Sequence, residues 1–396
     1  MIEGGNESMK RKVLGVILCI AMTASMLVAC GESKETSTTE TSAAQETAQA
    51  DTQEGTEAAE ATGNKNIIVI SKSYQNQFYQ AAFQGADDAA ADLGVTVTTN
   101  GPDAESNVSQ QVEQVAAAIN QKPDAIVLAA CDPSALEEVL TKAKEEGIPV
   151  IGFDSGVPGD TTGAVLATAA TDNENAGANV AKNMAADADF QAAILAGTEE
   201  APTVIGVLAQ DATSGSIVSR VDGFINEMIS QLEALDGLKG CVDVSGQEKW
   251  TIPSTTAAKV KIVVTVPPST SQADIQSAAN TIFASDNLVG VFAANQDAVN
   301  GVISATNDAT DLDKESGKYK DIFVAGFDAG KTQKDAISNG QFLGSVTQDP
   351  YQMGYQAIQL AVNAADDKEV ADVDTGSKWY NKDNIADDDI AILLYD

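Results

Sequence analysis

The sequence predicts an α/β protein made of two related lobes, each a parallel sheet flanked by helices, facing one another across a cleft. Three observations carry that expectation. Residues 148–156 read IPVIGFDSG and residues 322–330 read IFVAGFDAG, so an apolar run enters G-F-D-x-G twice. Around both, short apolar runs alternate with segments of helical period, the pattern of right-handed βαβ units and a parallel sheet. The chain from about residue 64 to residue 396 is long enough for two domains.

In the first half, IIVI at 67–70 is a continuous apolar run suited to a parallel strand buried on both faces. Phe78, Ala82, Ala86, Ala89 and Leu93 follow at helical spacing, and Gly94 ends that helix. VTVTT (95–99) is the second strand, and Val108, Val112, Val115 and Ile119 mark the second helix. AIVLAA (125–130) is the third strand. Asp132 is a helix cap with Pro133 at the first helical position, ahead of Leu136, Val139, Leu140 and Ala143, and Gly147 stops the helix. PVIGF (149–153) is the fourth strand, with Asp154 at its carboxyl end.

The second half repeats the order. TVIGVLA (203–209) is a strand, followed by a helical stripe of Ile217, Val221, Phe224, Met228 and Leu232. VKIVVTV (260–266) is the next strand, and Ile275, Ala279 and Ile282 mark the next helix. LVGVFAA (288–294) ends at Asn295, and IFVAGF (322–327) ends at Asp328. An Asp therefore follows the fourth strand in both halves. Ligands of open α/β sheets bind outside the carboxyl ends of the strands, which brings Asp154, Asn295 and Asp328 towards one space. Residues 237–259 break the repeat and read as an extra hairpin or loop carrying Trp250, one of two tryptophans.

The N-terminus reads as an address rather than as fold. Lys10, Arg11 and Lys12 precede an apolar stretch, Val13 to Val28, too short for a membrane span. It ends in LVAC, Leu27 to Cys30, a lipobox that predicts cleavage after Ala29 and a lipid on the Cys30 thiol. Met9 is the expected start of this signal, so residues 1–29 are expected to be removed. Residues 31–63 contain no Val, Ile, Leu, Phe, Tyr, Trp or Met and are expected to form a disordered tether, since they cannot bury enough apolar surface to offset ordering.

Composition narrows the function. The net charge of −35 disfavours nucleic-acid backbones and anionic lipid surfaces, which need clustered Lys and Arg. The chain has no His, so it lacks the commonest general base and zinc ligand. No GxGxxG or Walker sequence follows the first strand, no nucleophile–base pair stands out, and neither a metal nor a cofactor is expected. Cys131 and Cys241 lack CxxC spacing and are expected to be buried thiols.

Several spaced motifs together give a resemblance. QNQFYQAAFQGA (75–86), GFDSG (152–156), SRVDGF (219–224), FAANQD (292–297), GFDAG (326–330) and SVTQDP (345–350) resemble, in order and spacing, the type I periplasmic binding proteins of the ribose-binding class. The resemblance covers about residues 64–396. It implies two Rossmann-like lobes joined by a three-segment hinge, with crossings near Thr171, Gln348 and Lys378. The first lobe is then 64–170 plus 349–378 and the second is 171–348 plus 379–396. It also implies a monomeric, lipid-anchored receptor on the outer face of a Gram-positive cytoplasmic membrane. That receptor binds a monosaccharide by hinge closure and delivers it to the permease of an ABC importer, with no catalysis.

The candidate site residues suit that ligand chemically. A monosaccharide presents a ring of hydroxyls and an apolar face. Ionised Asp154 and Asp328 accept two hydroxyl protons each, in charge-assisted bonds. Arg220 lies on the apolar stripe of its helix and offers a fork of donors. Asn76, Asn295 and Gln348 each offer a donor and an acceptor, and Phe78 and Tyr79 can stack on the ring. Their assignment as ligand contacts rests mostly on the resemblance. Each also has a plainer reading as a turn carboxylate, a surface cation or core packing. Ser155 stands where many relatives carry Arg or Lys. Ser269 stands near where relatives often supply an aromatic, and Trp250 is a candidate replacement. Nucleosides, polyols and furanose-like signals are alternative ligands, and a sensor-coupled receptor is the alternative role. A transcriptional repressor of related fold is disfavoured, because a lipobox and tether occupy the place of its DNA-binding helices.

Overall fold

The computed structural model describes residues 64–395, and the signal, Cys30 and the tether lie outside them. The first half of the chain forms β1 (Asn66–Ile70), α1 (Gln77–Leu93), β2 (Thr96–Asn100), α2 (Val108–Asn120) and β3 (Ala125–Leu128). It continues with α3 (Glu137–Glu145), β4 (Val150–Phe153) and β5 (Val165–Ala170). The second half begins with α4 (Asn173–Ala186), α5 (Ala188–Leu195), β6 (Thr203–Leu208), α6 (Gly215–Glu233), β7 (Val242–Ser245) and β8 (Val260–Thr265). Then come α7 (Gln272–Phe283), β9 (Leu288–Ala293), α8 (Gln296–Ala305), β10 (Phe323–Phe327), α9 (Lys331–Ser338) and β11 (Gly344–Gln348). The chain closes with α10 (Pro350–Ala365), β12 (Val373–Asp374), β13 (Ser377–Tyr380) and α11 (Asp388–Ala391).

Two sheets result. One is six-stranded in the order β12-β5-β4-β3-β1-β2, and the other is seven-stranded in the order β13-β11-β10-β9-β6-β8-β7. Apart from the edge strand β7 they run in the same order, so the repeat seen in the sequence is a repeat of topology. Pairing is parallel throughout except for β13 on β11. Strand runs such as Ile67 to Ile70 and Ala125 to Leu128 are wholly buried because helices cover both faces of the sheet. Each Val, Leu or Ile in these runs contributes about 1.5–3 kcal/mol on burial.

The chain passes between sheets three times, after β5, after β11 and between β12 and β13. The third crossing falls at Thr375 and Gly376, ahead of the expected Lys378, because Ser377–Tyr380 already pairs with β11. The first and third crossings are tied together: Thr171 Oγ1 donates to Gly376 O at 3.0 Å, and the Asp172 N–H donates to Asp374 Oδ1 at 3.1 Å.

The helices that enter the cleft are braced by close crossings. An added Cβ at Gly177 of α4 would lie 2.0 Å from Arg220 O of α6, and one at Gly354 of α10 would lie 1.8 Å from Ala82 O of α1. Backbone therefore packs on backbone, which fixes the height of α6 and α1 over their sheets.

The segment 237–259 is more than a loop. β7 adds a parallel edge strand to β8, and only Val244 and Ile252 pair in hairpin fashion. Trp250 is buried in the core of the second lobe, with Nε1 donating to Asp222 at 2.9 Å, so it supplies no aromatic wall to the cleft. Ser269 Oγ donates to Asp274 at the start of α7. Cys131 and Cys241 are both buried and unpaired.

Candidate functional site

The two G-F-D-x-G turns do the same work in each lobe. Asp154 has φ 53 and Asp328 has φ 70, a left-handed backbone that Asp tolerates better than most residues. The Asp154 N–H donates to Ala169 O on β5, and the Asp328 N–H donates to Val346 O on β11. Each turn thus hooks its strand end to the next strand and turns its carboxylate into the space between the lobes.

That space is a narrow cavity of about 20 Å³ between side chains of both lobes. Lys72, Asn76, Phe78, Tyr79, Glu105 and Asp154 line it from the first lobe, and Ser216, Ile217, Arg220, Asn295, Gln296, Asp328 and Gln348 from the second. The structure therefore brings together Asn76, Phe78, Tyr79, Asp154, Arg220, Asn295, Asp328 and Gln348. It does not bring Ser155 to the cavity: its hydroxyl donates to Ala130 O at 3.0 Å, and it faces a separate groove.

Many of these groups are already partly committed. Tyr79 Oη donates to Asp154 Oδ2 at 2.6 Å. Asp328 Oδ1 accepts from Gln348 Nε2 at 2.6 Å, and its Oδ2 accepts from the Gln296 N–H at 2.9 Å. Burial outweighs the opposing pull of Arg220 and pushes the Asp328 carboxyl upward. Arg220 lies over the Phe327 ring, with Cζ 3.5 Å from its centroid. Its Nε and Nη2 donate to Asn173 Oδ1 at 3.2 and 2.7 Å, and Nη1 donates to Ala294 O at 2.7 Å. Of the five donors a guanidinium carries, two are left for a ligand. Asn76 caps α1 through the Phe78 N–H, and Asn295 caps α8 through the Ala298 N–H while its Nδ2 donates to Gln210.

Sequence reasoning missed a buried ionic cluster. Lys72 Nζ lies 3.1 Å from Glu105 Oε2, 3.7 Å from Asp154 Oδ2 and 3.0 Å from Ser214 Oγ of the other lobe. Burial alone would lower the Lys72 pKa, but Glu105, Asp154 and Asp211 outweigh it and raise it. Glu105 is held upward by burial, against the pull of Lys72, and also accepts from Gln210 Nε2 at 2.8 Å across the cleft. Lys72 follows β1 and Glu105 follows β2, so the carboxyl-end rule that picked out Asp154 would have found both. Other bonds between the lobes run from the Ser106 N–H to Thr270 Oγ1 at 3.0 Å and from Gln296 Nε2 to Gln77 Oε1 at 3.3 Å. The lobes are closed on one another.

The cavity presents groups suited to hydrogen bonding and stacking. It offers carboxylates, amides and aromatic side chains, and among the described residues no cluster of three or more His, Cys, Asp or Glu could hold a metal.

The family profile of the periplasmic binding protein domain matches residues 67–369. The chain belongs to that family. It is a binding protein, not an enzyme. It is 26% identical over 309 residues to the ribose import binding protein of Bacillus subtilis, covering 77% of this chain and 83% of the relative. A solved structure described as "ABC transporter, LacI family transcriptional regulator", from Brachyspira murdochii, shares 36% identity with a TM-score of 0.68, over 84% of this chain and 99% of that one. An ABC transporter solute binding protein from Agrobacterium vitis with bound D-fucose shares 28% identity with a TM-score of 0.66, over 83% of this chain and 100% of that one.

Proposed function

We propose that this protein is the extracytoplasmic receptor of an ABC importer and binds a monosaccharide, pentose or hexose, in the cavity between its lobes. The observation that carries the reading is the pair Asp154 and Asp328, one from each lobe, at equivalent strand ends and facing one cavity. Carboxylates accept from hydroxyls in the strong, charge-assisted class, and Phe78 beside them offers an apolar face. A relative named for ribose import and a solved relative holding D-fucose support the same ligand class.

In this reading the ligand touches both lobes, through Asn76, Phe78, Tyr79 and Asp154 on one and Arg220, Asn295, Asp328 and Gln348 on the other. It makes more contacts when the lobes are closed, and that difference in affinity shifts the population towards closure. The three crossings act as the hinge, and the closed shape is what a permease recognises. A lipid on Cys30 and the following tether hold the receptor, as a monomer, at the membrane surface. A thermal-shift screen with D-ribose, D-allose, D-arabinose, D-fucose, D-glucose, D-galactose, polyols and nucleosides tests the reading, because a ligand that binds only the native state raises its melting temperature. A shift with nucleosides alone, or with no compound that carries a sugar ring, would overturn it.

A further inference from the structure

Gln296 stands at the first position of α8, just past the carboxyl end of β9, and is buried. Its backbone N–H holds Asp328 Oδ2, and its Nε2 donates across the cleft to Gln77 Oε1 of the first lobe. Its Oε1 is buried and accepts no hydrogen bond. The residue borders both the cavity and a neighbouring groove that shares Asn76 and Glu105 with it. A buried amide oxygen with no donor is costly, and a donor placed against it recovers that cost.

The amide is also given room. An added Cβ at Gly330 would lie 2.8 Å from Gln296 Nε2. Gly330 has φ 167, an extended backbone that any residue adopts, so the main chain does not demand glycine there. Its counterpart Gly156 has φ 52, where the main chain does. The last glycine of the second G-F-D-x-G turn is accounted for by the side chain it lets in.

We propose that Gln296 is a specificity-determining contact: its Oε1 accepts a hydrogen bond from one ligand hydroxyl, while Nε2 on Gln77 ties that contact to closure of the lobes. The proposal rests on the monosaccharide reading above. An amide oxygen accepts and cannot donate, so the ligand position facing it carries a hydroxyl, and a hydrogen or a methyl ether there is rejected. Gly330 is a positioning residue that acts through Gln296.

The test is calorimetry on the full protein. The probes are the tightest-binding sugar among D-ribose, D-allose, D-arabinose, D-fucose, D-glucose and D-galactose, and the monodeoxy derivatives of that sugar. One deoxy derivative is expected to bind the wild type about tenfold more weakly, about 1.4 kcal/mol. The same derivative should lose less than twofold on Gln296→Ala, relative to the parent sugar on that variant. Gly330→Ala should weaken the parent sugar, and should add nothing in a Gln296→Ala background. If Gln296→Ala does not fold, Gln296→Met keeps the volume without the amide and carries the same expectation. An unchanged ranking of deoxy sugars on either variant, or additive losses at 296 and 330, overturns the inference and leaves the monosaccharide reading standing. Failure of every sugar to bind the wild type overturns both.

Discussion

Replacing Lys72 with Met should unbalance the buried ionic cluster. In the wild type one ammonium serves Glu105 at 3.1 Å and Asp154 at 3.7 Å, with all three side chains almost fully enclosed. Lys72→Met leaves two buried carboxylates without their cation. Removing one partner of a buried pair typically costs about 3–5 kcal/mol, because the remaining charge stays desolvated. Asp154 keeps the Tyr79 hydroxyl and Glu105 keeps Gln210 Nε2, which places the expected loss at the lower end, about 3 kcal/mol. Urea unfolding at pH 7.5 reads the loss. Glu105→Gln in the same chain removes one of the two stranded charges and should recover most of it. A single variant as stable as the wild type, or a double variant no better than the single, would show that the cluster does not hold the first lobe together.

Four further outcomes are expected. Asp154→Ala and Asp328→Ala should each weaken sugar binding by about 30- to 1,000-fold with the fold intact, the cost of about 2–4 kcal/mol for a charged acceptor in a desolvated site; calorimetric changes below threefold for both would refute the paired-carboxylate site. Burial, then Glu105 and Asp328, pushes the Asp297 carboxyl up to about 7. A raised acid is bound more tightly by protons in the folded state, so its contribution is full below about pH 4 and is lost as pH rises through 7. Asp297→Asn should therefore gain on the wild type between pH 4.5 and pH 8, and a constant difference in urea midpoints would refute this. Saturating sugar should shrink the radius of gyration of residues 64–396 in solution scattering, and Arg220→Ala should largely abolish that change; identical curves for the wild type with and without sugar would remove the hinge. Cys30→Ser should release the protein from the membrane fraction or leave the precursor uncleaved, and normal processing with unchanged fractionation would refute lipidation.

The two-lobe repeat was legible in the sequence because its signals are local. Apolar runs such as IIVI and AIVL declare buried parallel strands, and an Asp that tolerates positive φ marks the turn after β4 and after β10. The carboxyl-end rule then gathers residues from distant strands into one cleft without any knowledge of the other lobe. What a side chain does once it arrives there is not local. Ser155 stands one residue from Asp154, yet its hydroxyl turns back to Ala130 while the carboxylate faces the cavity. Arg220 spends three bonds on Asn173 and Ala294, partners 47 and 74 positions away. Trp250 sits in an inserted segment that reads as an extra hairpin or loop and as a candidate source of a cleft aromatic, and only the packing of α6 behind β7 and β8 takes it into the core. The Lys72–Ser214 and Gln296–Gln77 bonds join lobes more than a hundred residues apart, and only closure of the cleft creates them. The strand periods and turn residues are local properties of the chain and determine which residues reach the cleft; the hydrogen-bond partners there depend on surfaces brought together from far along the chain, so only the tertiary structure decides them.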